Sequence, residues 1–140
     1  MGMKLNSIIL FVFTLFLFGC KSSSIVVLDY DTQEPIANAM VFTEEYRICS
    51  TKQRIHTTNK DGILDIDYHP MIVVALKEGY SPSFGGDVPS IIYLTNLKSQ
   101  KIRQMKPNVF KYLENFKHNP MYDKFLKYKK EYHKQINDKK

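Results

Sequence analysis

Cysteine is scarce. The 140 residues hold two, Cys20 and Cys49, which excludes a disulfide-rich scaffold and any four-cysteine zinc site. No apolar stretch reaches the roughly 20 residues that a membrane-spanning helix needs. Residues Ile8–Phe18 make a run of eleven with one threonine, and Lys21-Ser22-Ser23-Ser24 stops it soon after. No His-x-x-x-His or Cys-x-x-Cys pair occurs, and His56, His69, His118 and His133 are scattered, so the expectation is no metal site and no cofactor. Glycine is absent from residue 97 onward. Length allows one compact domain with appendages.

Charge is unevenly placed. Residues 21–96 carry 6 Lys/Arg against 10 Asp/Glu, net −4, whereas residues 97–140 carry 13 against 4, net +9. The basic pI of about 9.2 therefore belongs to the C-terminal part of the chain and not to its middle.

Lys4, the apolar run and the small residue Gly19 have the pattern of a secretory signal peptide over residues 1–19. Leu17-Phe18-Gly19-Cys20 resembles the bacterial lipoprotein signal, in which the cysteine becomes the new N-terminus and carries the lipid. That resemblance implies lipid attachment at Cys20, with fatty-acyl chains such as palmitate, and a short tether over residues 20–23. Each buried methylene contributes about 0.8 kcal/mol, and two or more chains give durable anchoring. The membrane is then the first partner. Lys21 after the lipidated position implies the periplasmic side of the outer membrane, where the cell has one.

Residues 24–96 read as a small antiparallel β-sandwich. Ile25–Leu28, Ala39–Thr43 and Ile91–Leu94 are short apolar runs. Asn59-Lys60-Asp61-Gly62 is the clearest turn signal. It leads into Ile63–Asp67, where Leu64 and Ile66 share one face, the alternation of a half-buried strand. Met71–Leu76 is apolar throughout and reads as a central strand. In order, Asp31-Thr32-x-Glu34-Pro35-Ile36-x-x-Ala39-x-Val41, Thr58-x-x-Asp61-Gly62-x-Leu64-x-Ile66, Val73-x-Ala75 and Gly79-Tyr80 resemble the carboxypeptidase regulatory-like domain. The resemblance implies a prealbumin-like (transthyretin-like) sandwich of about seven strands, usually a non-catalytic appendage in exported proteins. The stretch from Glu44 to His56 is long and polar, and an extra hairpin or a modified strand is expected there.

Residues 97–140 read as a basic amphipathic pair of helices. Val109, Tyr112, Leu113 and Phe116 recur at helical spacing. Asn119-Pro120 reads as an N-cap followed by the first helical position. Tyr122, Phe125, Leu126, Lys129, Tyr132 and Ile136 then form one side of a second helix, with Lys124, Lys127, Lys130 and Lys134 as a possible basic surface elsewhere on it. Three readings compete for this tail. The favoured one packs the aromatic stripe on the sandwich, helped by the opposite charges of body and tail. The others are adhesion to an anionic surface and, least favoured, nucleic-acid binding, which is not expected of an exported lipoprotein.

Asp29, Asp31, Asp61, Asp65 and Asp67 fall near predicted turns and could offer oxygen ligands to calcium. Turn capping explains them with fewer assumptions. Cys49, among Arg47, Lys52 and Arg54 with His56 seven residues on, suggests an alternative: a small envelope hydrolase with a thiolate nucleophile. No Gly-rich oxyanion loop or orienting Asn/Asp motif accompanies it, and a lone cysteine in a strand is expected to be a small buried apolar residue. The expected function is thus a lipid-anchored, non-catalytic cell-envelope protein with a binding or structural (accessory) role toward an envelope protein partner. A further alternative is adhesion to anionic lipid or cell wall through the tail.

Overall fold

The computed structural model describes residues 23–85, 90–99 and 109–138. The strands are β1 (Ser23–Asp29), β2 (Met40–Arg47), β3 (Ser50–Thr57), β4 (Ile63–Ile66), β5 (Ile72–Leu76), β6 (Tyr80–Ser81), β7 (Ser83–Gly85) and β8 (Ser90–Asn96). They form two four-stranded sheets, ordered β4-β1-β8-β6 and β3-β2-β5-β7. The body is mainly β, as expected, with two corrections. Eight strands are described where about seven were expected. The pairing of β1 with β8 is parallel, Ile25 opposite Ser90 through Asp29 opposite Leu94, whereas the other named pairs are antiparallel.

Strand alternation builds the core. Ile25, Val27, Leu64, Ile66, Ile92 and Leu94 of the first sheet meet Val41, Val73 and Ala75 of the second in one buried cluster. The connection from β1 to β2 closes one end of it. Val27 Nα–H donates to the carbonyl of Gly62 at 2.8 Å, and the Val27 carbonyl accepts from Ile36 at 2.9 Å. Thr58 is buried, and its hydroxyl donates to the Ile36 carbonyl at 2.8 Å while accepting from the Ala39 amide at 2.9 Å. Asn59 Oδ1 accepts from the amides of Asp61 and Ile63. The Thr58-to-Gly62 motif is therefore a structural clasp.

The long polar stretch does hold a hairpin, whose second arm is β3. It is the extension of β2 and β3 themselves, paired in unbroken register from Met40 opposite Thr57 to Arg47 opposite Ser50.

The outward face of the second sheet is covered by the tail. Helix α1 (Val109–Leu113), a 3₁₀ turn (Glu114–Phe116) and helix α2 (Tyr122–Asn137) place Val109, Phe110, Leu113, Phe116, Phe125, Tyr128 and Tyr132 in a second cluster with Phe42, Ile55, Val74 and Leu76. Phe42 meets Phe116 and Phe125 edge-on, at ring separations of 5.0 and 5.8 Å. The docking reading of the tail is thus correct, with the aromatic stripe on the sheet as expected, and only the expected help from opposite charges has no matching ion pair among the described residues. The ion pairs resolved among the described residues are Glu45–Arg47, Glu45–Arg54 and Glu114–Lys129, and none of these joins body to tail. Apolar burial does so, together with two phenols. Tyr112 donates to the buried carboxylate of Glu44, and Tyr128 donates to the carbonyl of Tyr80 at 2.8 Å.

The expected helix details shift in two places. Helix α2 starts at Tyr122, and Asn119 does not cap it; Asn119 Oδ1 accepts from the Met121 amide in a turn just before. Tyr128 is buried, and Leu126, expected on that stripe, is exposed.

Candidate functional site

Pairing Val41 with His56 and Thr43 with Arg54 puts those four side chains on the face of the second sheet that looks toward the first. Beyond Val41, Tyr68 from the β4–β5 connection packs against this face beside Val73. Its hydroxyl lies 2.6 Å from His56 Nε2 and 2.7 Å from Thr43 Oγ1. The Arg54 guanidinium sits 3.8 Å from the centre of the Tyr68 ring, in cation–π geometry, and binds Glu45 at 2.9 Å. Glu45 also accepts from Arg47 at 3.3 Å. Glu45, Arg54, Tyr68, His56 and Thr43 thus make one continuous polar cluster at the edge of the layered body.

Burial of the His56 imidazole, and next the charge on Arg54, hold its pKa below the usual histidine value. The Tyr68 hydroxyl is thus shared between His56 Nε2 and Thr43 Oγ1, and Thr43 Oγ1 also reaches the Arg54 carbonyl at 3.5 Å. Glu45 is kept below the usual carboxylate range first by its hydrogen bond to Arg47. The cluster can hold or relay a proton between His56, Tyr68 and Thr43. It works as a clip that ties the β4–β5 connection to β2 and β3.

The sign of its pH dependence follows. The unfolded chain protonates His56 near pH 6.5, before the folded one does. Stability supplied here is complete above that value and is lost as pH falls through it toward the lower folded pKa. Denaturant titrations should show unfolding free energy declining from about pH 7 to about pH 5, with a shallower decline in His56→Gln. Equal slopes in the two proteins would remove the clip from the account.

Cys49 is corrected by the structure. It is exposed with a free thiol, in the Ile48–Cys49 turn between β2 and β3. His56 lies near the other end of β3, six residues along from Ser50, roughly 20 Å at the rise of an extended strand. The two are not brought together, and the geometry of the hydrolase alternative is lost. His69, His118 and His133 are exposed. Asp29 behaves as a turn cap. Its Oδ1 accepts from the amides of Asp31 and Thr32 at 2.8 and 3.0 Å, and its Oδ2 accepts from Tyr80 at 2.9 Å. Its burial raises the pKa, but the hydrogen bonds led by Thr32 outweigh that and the net shift is downward. Asp65 accepts from Ser24 at 2.6 Å. Among the described residues, no three His, Cys, Asp or Glu side chains are grouped so as to hold a metal ion.

Lys124, Lys127, Lys130 and Lys134 are all exposed on α2. Cys20 and the signal segment lie outside the described residues. Sequence reasoning missed the His56–Tyr68 pair. Alternation along β3 was a usable signal for Arg54 and His56 sharing a face, whereas nothing local announced that Tyr68 would fold onto them. On the outer side of β3, Gln53, Asn115, Phe116, His118 and Asn119 line an open cleft of about 190 Å³, small for an organic ligand. No protein-family model matches the chain, and no curated protein matches it significantly.

Proposed function

We propose that the chain is a lipid-anchored, non-catalytic protein of the cell envelope, held by acyl chains on Cys20 at the periplasmic face of the outer membrane where there is one. Its folded body is a prealbumin-like sandwich of the carboxypeptidase regulatory-like type, with a binding or structural role toward an envelope protein. One observation carries the reading: an apolar run of eleven residues leads through Leu17-Phe18-Gly19-Cys20 into a polar spacer. Two features support it. Strand β1 begins at Ser23, so the body starts three residues after the lipidated position. The motifs behind the family resemblance serve turns and clasps, as in a module that presents surfaces.

Those surfaces differ. The solvent face of the first sheet carries the exposed Ile91 and Tyr93, with Tyr30 edge-on to Tyr93 at 6.2 Å. The helical side carries the exposed lysines. Helix α2 runs from Phe42 toward Tyr80, and the Tyr80–Ser81 strand pairs with the far end of β8. Lys130 and Lys134 therefore sit away from the end where β1 begins, placed for an acidic partner in the envelope and not for the bilayer that holds the anchor.

Cys20→Ser should move the protein from the membrane to the soluble fraction of the same cells. Tagged wild-type protein, solubilised in detergent, should capture a reproducible envelope partner, and capture should weaken with salt. Retention of Cys20→Ser in the membrane would overturn the anchor, and reproducible capture of nothing would overturn the accessory role.

A further inference from the structure

The end of the body from which β1 emerges carries an apolar tip. Ser23 pairs with Ile66, the last residue of β4. The β4–β5 connection starts there and returns to the second sheet, where the Met71 amide donates to the Glu44 carbonyl at 2.8 Å and Ile72 pairs with Glu44. Ser23, Ile66, Met71 and Glu44 therefore share one end. Strand β2 does not stop at that level. It continues through Arg47 and turns at Ile48–Cys49, an overhang of roughly 10 Å at about 3.3 Å per residue.

The overhang is apolar where it is most exposed. Ile48 is fully exposed, Met71 is 71% exposed and Tyr46 54%. Lysine and arginine flank them: Lys52 is exposed opposite Glu45 in the hairpin, and Arg47 closes the strand. Glu45 is engaged by Arg47 and Arg54, which leaves Asp67 as an exposed carboxylate on the β4–β5 side.

We propose that the β2–β3 hairpin tip, with Met71, is a second membrane contact that seats in the lipid headgroup layer beside the anchor. This rests on the lipid-anchor reading above and extends it. The covalent chain from Cys20 to Ser23 spans at most about 10–11 Å. The hairpin overhang matches that reach, so Ile48 arrives at the depth of the acylated residue. An aliphatic tip, an adjacent tyrosine and flanking cations are the chemistry of an interfacial contact. The consequence is a fixed orientation, with the strands directed away from the bilayer and the C-terminal half of α2 held at the distal end.

The test uses full-length protein purified from membranes and reconstituted into vesicles of phosphatidylethanolamine and phosphatidylglycerol. With Cys20 acylated, Cys49 is the remaining thiol and takes an environment-sensitive fluorophore. Its emission should shift to the blue on reconstitution and be quenched by headgroup-spin-labelled lipid. The shift should be lost in Ile48→Asp/Met71→Asp, both exposed positions, with circular dichroism expected to match wild type. A label at Lys134→Cys in a Cys49→Ser background should report water throughout. Protein that floats with the vesicles while the Cys49 label reports water overturns the hairpin contact and leaves the anchor standing. So does a blue shift that persists in the double variant. Protein that fails to float and labels at two thiols overturns both.

Discussion

Phe125→Ala is expected to lower the unfolding free energy by roughly 3–5 kcal/mol, the cost of truncating a buried phenylalanine. Phe125 is fully buried and lies 5.8 Å from Phe42, 6.2 Å from Phe110 and 5.2 Å from Tyr122 between ring centres. Through it α2 touches both the sheet and α1. A cavity there is bordered by one edge-on ring, Phe42, and two tilted ones, Phe110 and Tyr122, which cannot close over it without giving up their own contacts. Against a total of about 5–15 kcal/mol for a domain of this size, the loss is large enough to loosen the helical layer ahead of the strands. Denaturant unfolding of Phe125→Ala should show a strongly lowered midpoint, with Leu126→Ala, one residue along and 45% exposed, within about 1 kcal/mol of wild type. Comparable losses at the two positions would mean that the docking face is misassigned.

The second large effect is expected at Gly62. Its φ of +70° is left-handed, and a β-carbon built there would lie 2.8 Å from the Val27 carbonyl oxygen, 2.9 Å from the Ile36 amide nitrogen and 2.9 Å from Pro35 Cβ. Two of these are backbone atoms that hydrogen-bond to each other, so neither can yield without breaking the clasp between β1 and the β1–β2 connection. Gly62→Ala should therefore cost roughly 2–4 kcal/mol, combining the left-handed penalty of about 1–2 kcal/mol with the displaced contacts. Gly79 makes the internal comparison. Its φ is +82° but nothing lies within 4 Å of its would-be β-carbon, so Gly79→Ala should pay the conformational part alone. Equal losses at Gly62 and Gly79 would show that the close approach carries no weight.

Local chemistry made some of this fold legible and left other parts hidden. The Asp61-Gly62 turn and the Leu64/Ile66 alternation are encoded within a few residues, and both stand in the structure as expected. The parallel pairing of β1 with β8 joins segments more than sixty residues apart, and no short-range pattern reports which strand a run will meet. In α2, at about 100° per residue, Leu126 and Tyr128 lie on opposite sides of Phe125. The sequence alone favours neither; contact with the sheet chooses Tyr128, which is buried beside Tyr132. Cys49 was expected inside because a lone, unpaired cysteine in a strand usually behaves as a small buried hydrophobe, whereas it stands in the exposed turn between β2 and β3. The polar cluster was the least visible feature. His56 and Arg54 follow from alternation, while Tyr68 arrives from another sheet's connection and completes it.

The central claim is covalent, and intact-mass spectrometry of protein purified from its own membranes addresses it directly. The account predicts a chain beginning at Cys20, heavier than residues 20–140 by a diacylglyceryl group on sulfur and an acyl group on nitrogen. A mass that retains residues 1–19, or an unmodified thiol at Cys20, would contradict it.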